Sequence, residues 1–80
     1  MIDITARQLE FLVFIDSFIK LNHYAPSIRE IATGFNITPA GARDVIKAIE
    51  RKGYVKSVPE MARTLHLTQK GIDKIKELNK

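Results

Sequence analysis

The stretch SIREIATGFNITPAGARDVIKAIERKG, at residues 27–53, contains the signals that decide the fold. Ser27 is followed three positions later by Glu30, which is the capping-box pattern of a helix start. In this pattern the hydroxyl accepts a hydrogen bond from the N–H of residue 30, and the Glu30 side chain accepts one from the N–H of Ser27. The stretch therefore predicts a short helix that begins after Ser27 and ends near Gly34 or Phe35.

A second helix start follows within the same stretch. Thr38 provides a capping oxygen, and Pro39 suits the first helical position, where its missing N–H needs no partner. Asn36 tolerates the left-handed backbone conformation better than most residues, so it predicts a sharp turn between the two helices. Gly53 is a typical helix terminator. The helix predicted after Thr38 therefore runs to about Lys52.

The helix predicted after Thr38 has two different faces. Its apolar residues recur at helical spacing and predict the face turned towards the core: Ala42, Val45, Ile46 and Ile49. Arg43, Lys47 and Arg51 are four residues apart, and residues at that spacing share a helix face. A line of positive groups therefore points outward. Three further residues lie near the start of this outward face: Ala40, Gly41 and Asp44.

The chain before this stretch predicts one long helix. Thr5 and Gln8 form another capping box, and the helical pattern continues to about Leu21 or Asn22. Its apolar residues occupy about half of the helix circumference, which predicts packing on two sides. They are Phe11, Leu12, Phe14, Ile15, Phe18, Ile19 and Leu21.

The chain after Gly53 predicts a β-hairpin. Residues 54–58 and 64–67 have the composition of short strands, and residues 59–63, PEMAR, form the connection. In the second strand, Leu65 and Leu67 share one face and Thr64 and His66 share the other.

A last helix is predicted at residues 69–78, with Thr68 as its capping residue. Its apolar stripe consists of Ile72, Ile75 and Leu78. We expect this stripe to pack on the first helix, either within one chain or across a homodimer. The residues that it is expected to cover are Phe14, Phe18 and Leu21.

The predicted order of elements is helix, helix, tight turn, helix, β-hairpin, helix. This order is that of a winged helix-turn-helix, a mainly α fold with a three-helix core, a small hairpin called the wing, and a C-terminal helix. In such folds the third helix enters the major groove of double-stranded DNA. We expect residues 1–80 to form a single domain of this kind.

The distribution of charge favours an anionic partner. The net charge of +4 is uneven, because residues 1–40 hold three basic and four acidic residues, whereas residues 41–80 hold ten and five. Such a basic half favours nucleic acid, with a solvated surface as the alternative. The chain has no cysteine, no apolar run that would span a membrane and no basic segment typical of a signal peptide. We therefore expect a cytoplasmic location.

The sequence does not favour an enzyme. His23 and His66, the two histidines, fall in different predicted elements and lack the spacing of metal ligands. No Ser/His/Asp arrangement, phosphate-binding glycine loop or pair of carboxylates stands out. We therefore expect no catalytic residues, no metal and no cofactor.

Three segments resemble the DNA-binding domain of LexA-type SOS repressors: ITARQLEFLVFI at residues 4–15, PSIREIA at 26–32 and TPAGARDVIKAIERKG at 38–53. The resemblance covers about residues 4–58. It implies a bacterial or phage winged helix-turn-helix that represses transcription by occupying operators. By position, it also implies the residues that read bases: Thr38, Ala40, Gly41, Arg43 and Asp44.

The sequence departs from the family in three respects. The autoproteolytic Ser/Lys domain, with its cleavage site and dimer interface, does not lie within these residues. The turn before Thr38 is one residue shorter. Ala40 and Arg43 stand where the family commonly carries asparagine and acidic residues. Because arginine pairs well with a guanine edge, we do not expect the family's usual operator to be the one read here.

Further basic and polar residues are predicted to contact the DNA backbone. Such contacts position a protein on the duplex without reading its sequence. The wing and its base supply Lys52, Lys56 and Arg63. The first two helices supply Arg7, Ser27 and Arg29. Lys47 and Arg51 are predicted to bind DNA as part of the outward face of the third helix, together with Arg43.

Two alternatives remain open at the level of sequence. Winged helices also serve as protein-interaction modules, and Leu9 and Val13, which lie outside the main apolar face of the first helix, suit that function. The chain is alternatively the DNA-binding fragment of a longer regulator. Salt separates DNA binding from an apolar protein interface, because only the former weakens steeply as salt rises.

Overall fold

The computed structural model describes residues 3–78, which form four helices and one two-stranded sheet. In chain order the elements are α1 (Ala6–Asn22), α2 (Ile28–Phe35), α3 (Pro39–Arg51), β1 (Val55–Lys56), β2 (His66–Leu67) and α4 (Gln69–Leu78). This order confirms the predicted winged helix-turn-helix.

Local hydrogen bonds fix the starts of the helices at the predicted residues. Thr5 Oγ1 accepts from the N–H of Gln8 and Gln8 Oε1 accepts from the N–H of Thr5, both at 3.1 Å. Ser27 and Glu30 form the same reciprocal pair at the start of α2, at 3.1 and 2.8 Å. Each capping box satisfies two N–H groups that a helix start leaves without intrahelical partners.

The turn between α2 and α3 is short because Asn36 reverses the chain. Asn36 has a φ of 56°, in the left-handed region, and the N–H of Ile37 donates to the carbonyl of Ala32 at 3.0 Å. Thr38 then caps α3, with its Oγ1 accepting from the N–H of Gly41 at 3.0 Å. The two short helices therefore leave the turn in a fixed relative orientation.

The core lies where α1, α2, α3 and the base of the wing meet. Among residues 3–78, every buried side chain of the core is apolar or aromatic, and no polar or charged residue is buried. The largest fully buried side chains are those of Phe11, Leu12, Ile15, Ile31, Ile49, Tyr54 and Val55. Because α3 contributes one face to this core, its other face is held outward.

The two strands are shorter than predicted. We expected residues 54–58 and 64–67, but the ladder consists only of Val55 opposite Leu67 and Lys56 opposite His66. Beyond that ladder, Thr64 Oγ1 accepts from the N–H of Val58 at 2.8 Å and donates to the carbonyl of Met61 at 3.0 Å. A side chain therefore takes the place of the expected backbone pairing.

The connection between the strands turns through two left-handed residues. Glu60 has a φ of 63° and Arg63 a φ of 59°. A residue with a Cβ is disfavoured in this conformation, and extended pairing is not compatible with it. Both residues lie in the predicted connection, and neither is a glycine or asparagine that would have indicated where the chain turns.

Helix α4 contacts α1 within the chain, as predicted, and of the three residues that we expected it to cover, Phe14 lies beside the same hollow as Leu78 of α4. The Phe14 ring lies 5.3 Å from that of Phe35, and the Phe18 ring lies 5.6 Å from that of Tyr24. Leu21 is 80% exposed. Within the chain, α2 and the loop before it therefore supply aromatic partners for this part of α1, and Leu21 stays uncovered.

The path of α4 is set by a close contact with the base of the wing. Gly71 is buried beneath the Tyr54 carbonyl, and the N–H of Thr68 donates to that carbonyl at 3.0 Å. The far end of α4 brings Leu78 beside Leu9 and Val13 of α1. None of the helices within residues 3–78 has the length and apolar character needed to cross a membrane.

Candidate nucleic-acid interface

The outward face of α3 is polar, basic and exposed. The opposite face is anchored in the core by Ala42, Ile46 and Ile49. Of the residues predicted to read bases or flank them, Gly41 is half-buried and the others are exposed. The exposed residues are Thr38, Ala40, Arg43, Asp44, Lys47 and Arg51.

The basic residues of α3 are spaced to span a DNA groove. A helix rises about 1.5 Å per residue, so Arg43 and Arg51 are separated by about 12 Å along the axis, with Lys47 midway. The major groove of B-DNA is also about 12 Å wide. The line of positive charges is therefore about as long as that groove is wide.

A groove of about 610 Å³ separates α3 from the wing. Arg43 and Lys47 lie on its helix side, and residues 57–65 form the opposite wall. That wall includes Val58 and Met61, which are exposed although apolar. These two residues were not predicted as part of a site, although apolar residues in a loop that also carries Pro59 and Glu60 could have indicated an exposed apolar wall.

The start of α3 allows close approach by a partner. Ala40 is small and exposed, and a Cβ added at Gly41 would meet only Thr38 Oγ1, at 3.2 Å. The first N–H groups of any helix carry partial positive charge and suit a phosphate. In α3, Pro39 has no N–H and that of Gly41 donates to Thr38, so this end offers little steric bulk and the partial positive charge of the helix start, with few N–H groups free to bind an anion.

The residues predicted to contact the DNA backbone are in different environments. Lys56 is exposed on β1, and Arg29 is exposed on α2. Ser27 is half-buried and caps α2, where its oxygen accepts from the N–H of Glu30 and its O–H is not used in that bond. The Arg7 guanidinium lies over the Phe35 ring, 5.4 Å from its centre.

Lys52 has partners within the chain. Its Nζ donates to Gln8 Oε1 at 2.7 Å and to the carbonyl of Asp3. These contacts join the end of α3 to the start of α1 and favour a structural role for Lys52. The partners are separated by 44 residues or more in sequence, so no local pattern indicated them.

A hydrogen-bonded network that the sequence did not indicate surrounds Tyr54. Its hydroxyl donates to the Asp3 carboxylate, and Lys70 Nζ lies 3.4 Å from the same carboxylate. Burial raises the pKa of Tyr54 to about 12, and the hydrogen bond to Asp3 acts in the same direction. The Tyr54 hydroxyl, followed by the Lys70 ammonium, lowers the pKa of Asp3.

These elements define a winged helix-turn-helix: an exposed basic helix after a tight turn, a short wing beside it and a last helix behind it. The crystal structure of a MepR mutant from a multidrug-resistant S. aureus clinical isolate shares the fold, with a TM-score of 0.78 over 96% of this chain and 56% of that chain. The two sequences are 19% identical, so the likeness concerns the fold alone.

The family is established by sequence. The family model described as LexA DNA binding domain matches residues 1–64, and the chain belongs to this family. The predicted resemblance is thereby confirmed.

Curated relatives agree with this assignment. The LexA repressor of Thermotoga neapolitana is 45% identical over 67 residues, which are 84% of this chain and 34% of that protein. The LexA repressor of Thermotoga maritima is 44% identical over 73 residues, 91% of this chain and 37% of that protein. The LexA repressor of Leptospira interrogans is 45% identical over 65 residues, with shares of 81% and 32%. The chain spans about a third of the length of these relatives.

Proposed function

We propose that this chain binds double-stranded DNA in a sequence-specific manner and represses transcription by occupying its operator. The observation that carries the proposal is the outward face of α3, where Arg43, Lys47 and Arg51 are exposed in one line while the opposite face is fixed in the core. The family membership and the names of the relatives support the same function. The site of action is the cytoplasm of a bacterium, or of a cell infected by a phage.

In the proposed complex α3 lies in the major groove. The start of the helix reads base edges through Thr38, Ala40, Gly41, Arg43 and Asp44. Arg43 donates two hydrogen bonds to O6 and N7 of a guanine, a geometry that discriminates against the other bases. The protein acts by occupancy and catalyses no reaction.

Other residues hold the protein on the DNA backbone. Lys47 and Arg51 on α3, together with Lys56 on the wing, neutralise phosphates. Three such contacts give a slope of about −2.7 in a plot of log affinity against log salt, so a change from about 50 to about 200 mM salt lowers the affinity about 40-fold. Arg7 and Arg29 are further candidates for phosphate contacts.

Fluorescence anisotropy against a pool of random duplexes, at two salt concentrations, tests the proposal. Bound DNA is recovered and sequenced. We expect salt-dependent binding and enrichment of one motif. Binding without enrichment would contradict sequence-specific recognition, and an absence of binding at low salt would contradict DNA binding altogether.

A homodimer through α1 and α4 is the proposed form on a symmetric operator. A hollow of about 630 Å³ between α1 and the end of α4 is lined mainly by apolar side chains. Those of Leu9, Val13 and Leu78 are half-buried or exposed. Dimers of this class read half-sites about one helical turn apart, so a palindromic motif in the selection supports the dimer. Sedimentation of a monomer at high protein concentration, with and without DNA, would contradict it.

The same hollow favours one second candidate function, a protein-interaction module. An apolar interface of that kind is little affected by salt. The anisotropy experiment therefore also separates this candidate from the DNA-binding repressor.

A further inference from the structure

The wing has little backbone pairing of its own. Its ladder contains only two residue pairs, Val55 with Leu67 and Lys56 with His66. An isolated hairpin of this size is marginally stable in water, because two strands bury too little surface to offset the entropy of ordering them. The position of residues 57–64 relative to α3 therefore depends on contacts with the rest of the molecule.

Arg63 makes such contacts with the loop between α1 and α2 and with α2 itself. Its Nη1 donates to the carbonyl of Ala25 at 3.0 Å and to Glu30 Oε1 at 2.9 Å. The guanidinium carbon lies 4.8 Å from the centre of the Tyr24 ring, a cation–π distance. One side chain of the wing is thus bound to three separate groups of the helical body.

The backbone of Arg63 is in a conformation that disfavours any residue with a Cβ, with a φ of 59°. Glycine would fit this turn without steric repulsion. The side chain of the arginine makes three contacts that a glycine at this position could not make. The side chain, and not the turn, therefore accounts for the presence of an arginine at this position.

Glu30 links Arg63 to the start of α2. The same Oε1 that accepts from Arg63 also accepts from the N–H of Ser27 at 2.8 Å, as part of the capping box. The wing is thereby bound to the residue pair that fixes where α2 begins. The Glu30 carboxylate also balances the charge of Arg63, which weakens the attraction of this arginine for a phosphate.

We infer that Arg63 is a positioning residue: it binds the wing to the start of α2 and thereby sets the width of the groove between the wing and α3, instead of contacting DNA phosphate itself. The inference rests on the proposed DNA-binding function for its consequence, but the contact itself exists in the free protein. It replaces the expectation from sequence that Arg63 contacts the DNA backbone.

Four variants distinguish positioning from phosphate contact. Arg63→Gln removes the guanidinium, whereas Arg63→Lys keeps a positive charge but loses the planar fork and its stacking on Tyr24. Glu30→Gln removes the negative charge while keeping a residue type that completes a capping box. Lys76→Gln, at an exposed position of α4, is the matched control for the loss of one positive charge.

The first readout is the ratio of affinities for the selected duplex and for random duplex. If Arg63 positions the wing, Arg63→Lys and Arg63→Gln lower this ratio equally, by about tenfold, which is within the range that one misplaced base contact costs. The double variant of Arg63→Gln with Glu30→Gln then loses no more than Arg63→Gln alone, because both act on one contact. If Arg63→Lys binds like the unaltered protein while Glu30→Gln binds DNA more tightly, Arg63 is a phosphate contact and the inference is wrong.

The second readout needs no DNA, so it separates the inference from the proposed function. Amide hydrogen exchange of residues 57–64 is measured in the free protein. We expect exchange about tenfold faster in Arg63→Lys and Arg63→Gln than in the control, because the wing opens more often without the contacts of the Arg63 guanidinium. Unchanged exchange in both variants would overturn the inference even if DNA binding is established, and faster exchange would support it even if no DNA is bound.

Discussion

Gly71→Ala tests how α4 is seated on the wing. A Cβ built at Gly71 would lie 2.3 Å from the Tyr54 carbonyl oxygen and 3.4 Å from Leu67 Cβ. The obstacle at 2.3 Å is a backbone atom, and it accepts a hydrogen bond from the N–H of Thr68. A backbone oxygen cannot move aside by a change of rotamer, so α4 itself has to shift by about 1 Å to restore an ordinary contact distance.

The magnitude follows from two opposing terms. Alanine is about 1 kcal/mol more favourable than glycine inside a helix. Overpacking of a tight contact costs about 1–3 kcal/mol, and weakening the Thr68 hydrogen bond costs about 1 kcal/mol more. The net expectation is a loss of about 1–3 kcal/mol in the free energy of unfolding. For a domain of this size, each 1 kcal/mol lowers Tm by about 4–8 °C.

Urea unfolding followed by circular dichroism measures the change, and Gly34→Ala in α2 is the matched control. There the added Cβ would meet the ring of Phe14, at 2.6 Å, which belongs to a half-buried side chain packed against Phe35 and not to the backbone. A side chain can shift where a backbone carbonyl cannot, and alanine gains about 1 kcal/mol in helix propensity, so we expect Gly34→Ala to lower the free energy of unfolding less than Gly71→Ala does. A Gly71→Ala variant as stable as the unaltered protein would refute the proposed seating of α4.

Three further predictions concern DNA binding and pH. Arg43→Ala should relax the base preference at one position of the selected motif, whereas Lys56→Ala should lower the affinity for all duplexes about equally. If anisotropy shows that both variants change the affinities for selected and random duplexes in the same way, this counts against α3 as the element that reads bases. The pKa of Tyr54 is raised above its ordinary value of 10.0, so its contribution to stability is complete below pH 10 and is lost as pH rises towards about 12. The urea concentration at the unfolding midpoint should therefore fall over this pH range, and it should fall less in Tyr54→Phe. The pKa values of Asp3 and Glu30 are lowered, so their contributions to stability are present above the ordinary values of 3.8 and 4.5 and are lost as pH falls below them. Urea midpoints that stay constant as the pH is lowered through this range would contradict this.

The parts of the fold that are encoded locally were predictable from sequence. Capping boxes depend on residues three positions apart, and the start of α2 at Ser27 and of α3 after Thr38 were confirmed for that reason. Asn36 was predicted to turn the chain because few residues adopt its conformation, and this was confirmed too. Family membership was also readable from short segments.

The parts that depend on distant partners were not predictable. Lys52 binds Gln8, and Arg63 binds Glu30, across 44 and 33 residues of sequence. A basic residue in a DNA-binding domain is read as a DNA contact unless such a partner is known. The ends of the strands were predicted wrongly for another reason: Thr64 accepts the hydrogen bond of the Val58 N–H with its side chain and not with its backbone carbonyl. The roles of individual residues in reading DNA stay predictions.

The turns of this protein offer a route to a more robust variant. Within residues 3–78, four non-glycine residues have positive φ angles; Asn36 suits the conformation, and Arg63 makes side-chain contacts that a glycine would lose. His23 and Glu60, with φ of 65° and 63°, are both exposed. Glycine at either position removes a steric repulsion of about 1–2 kcal/mol, partly offset by the greater freedom that it gives the unfolded chain. An engineer who needs a heat-resistant DNA-reading module would therefore begin at these two turns, leaving the outward face of α3 as it is.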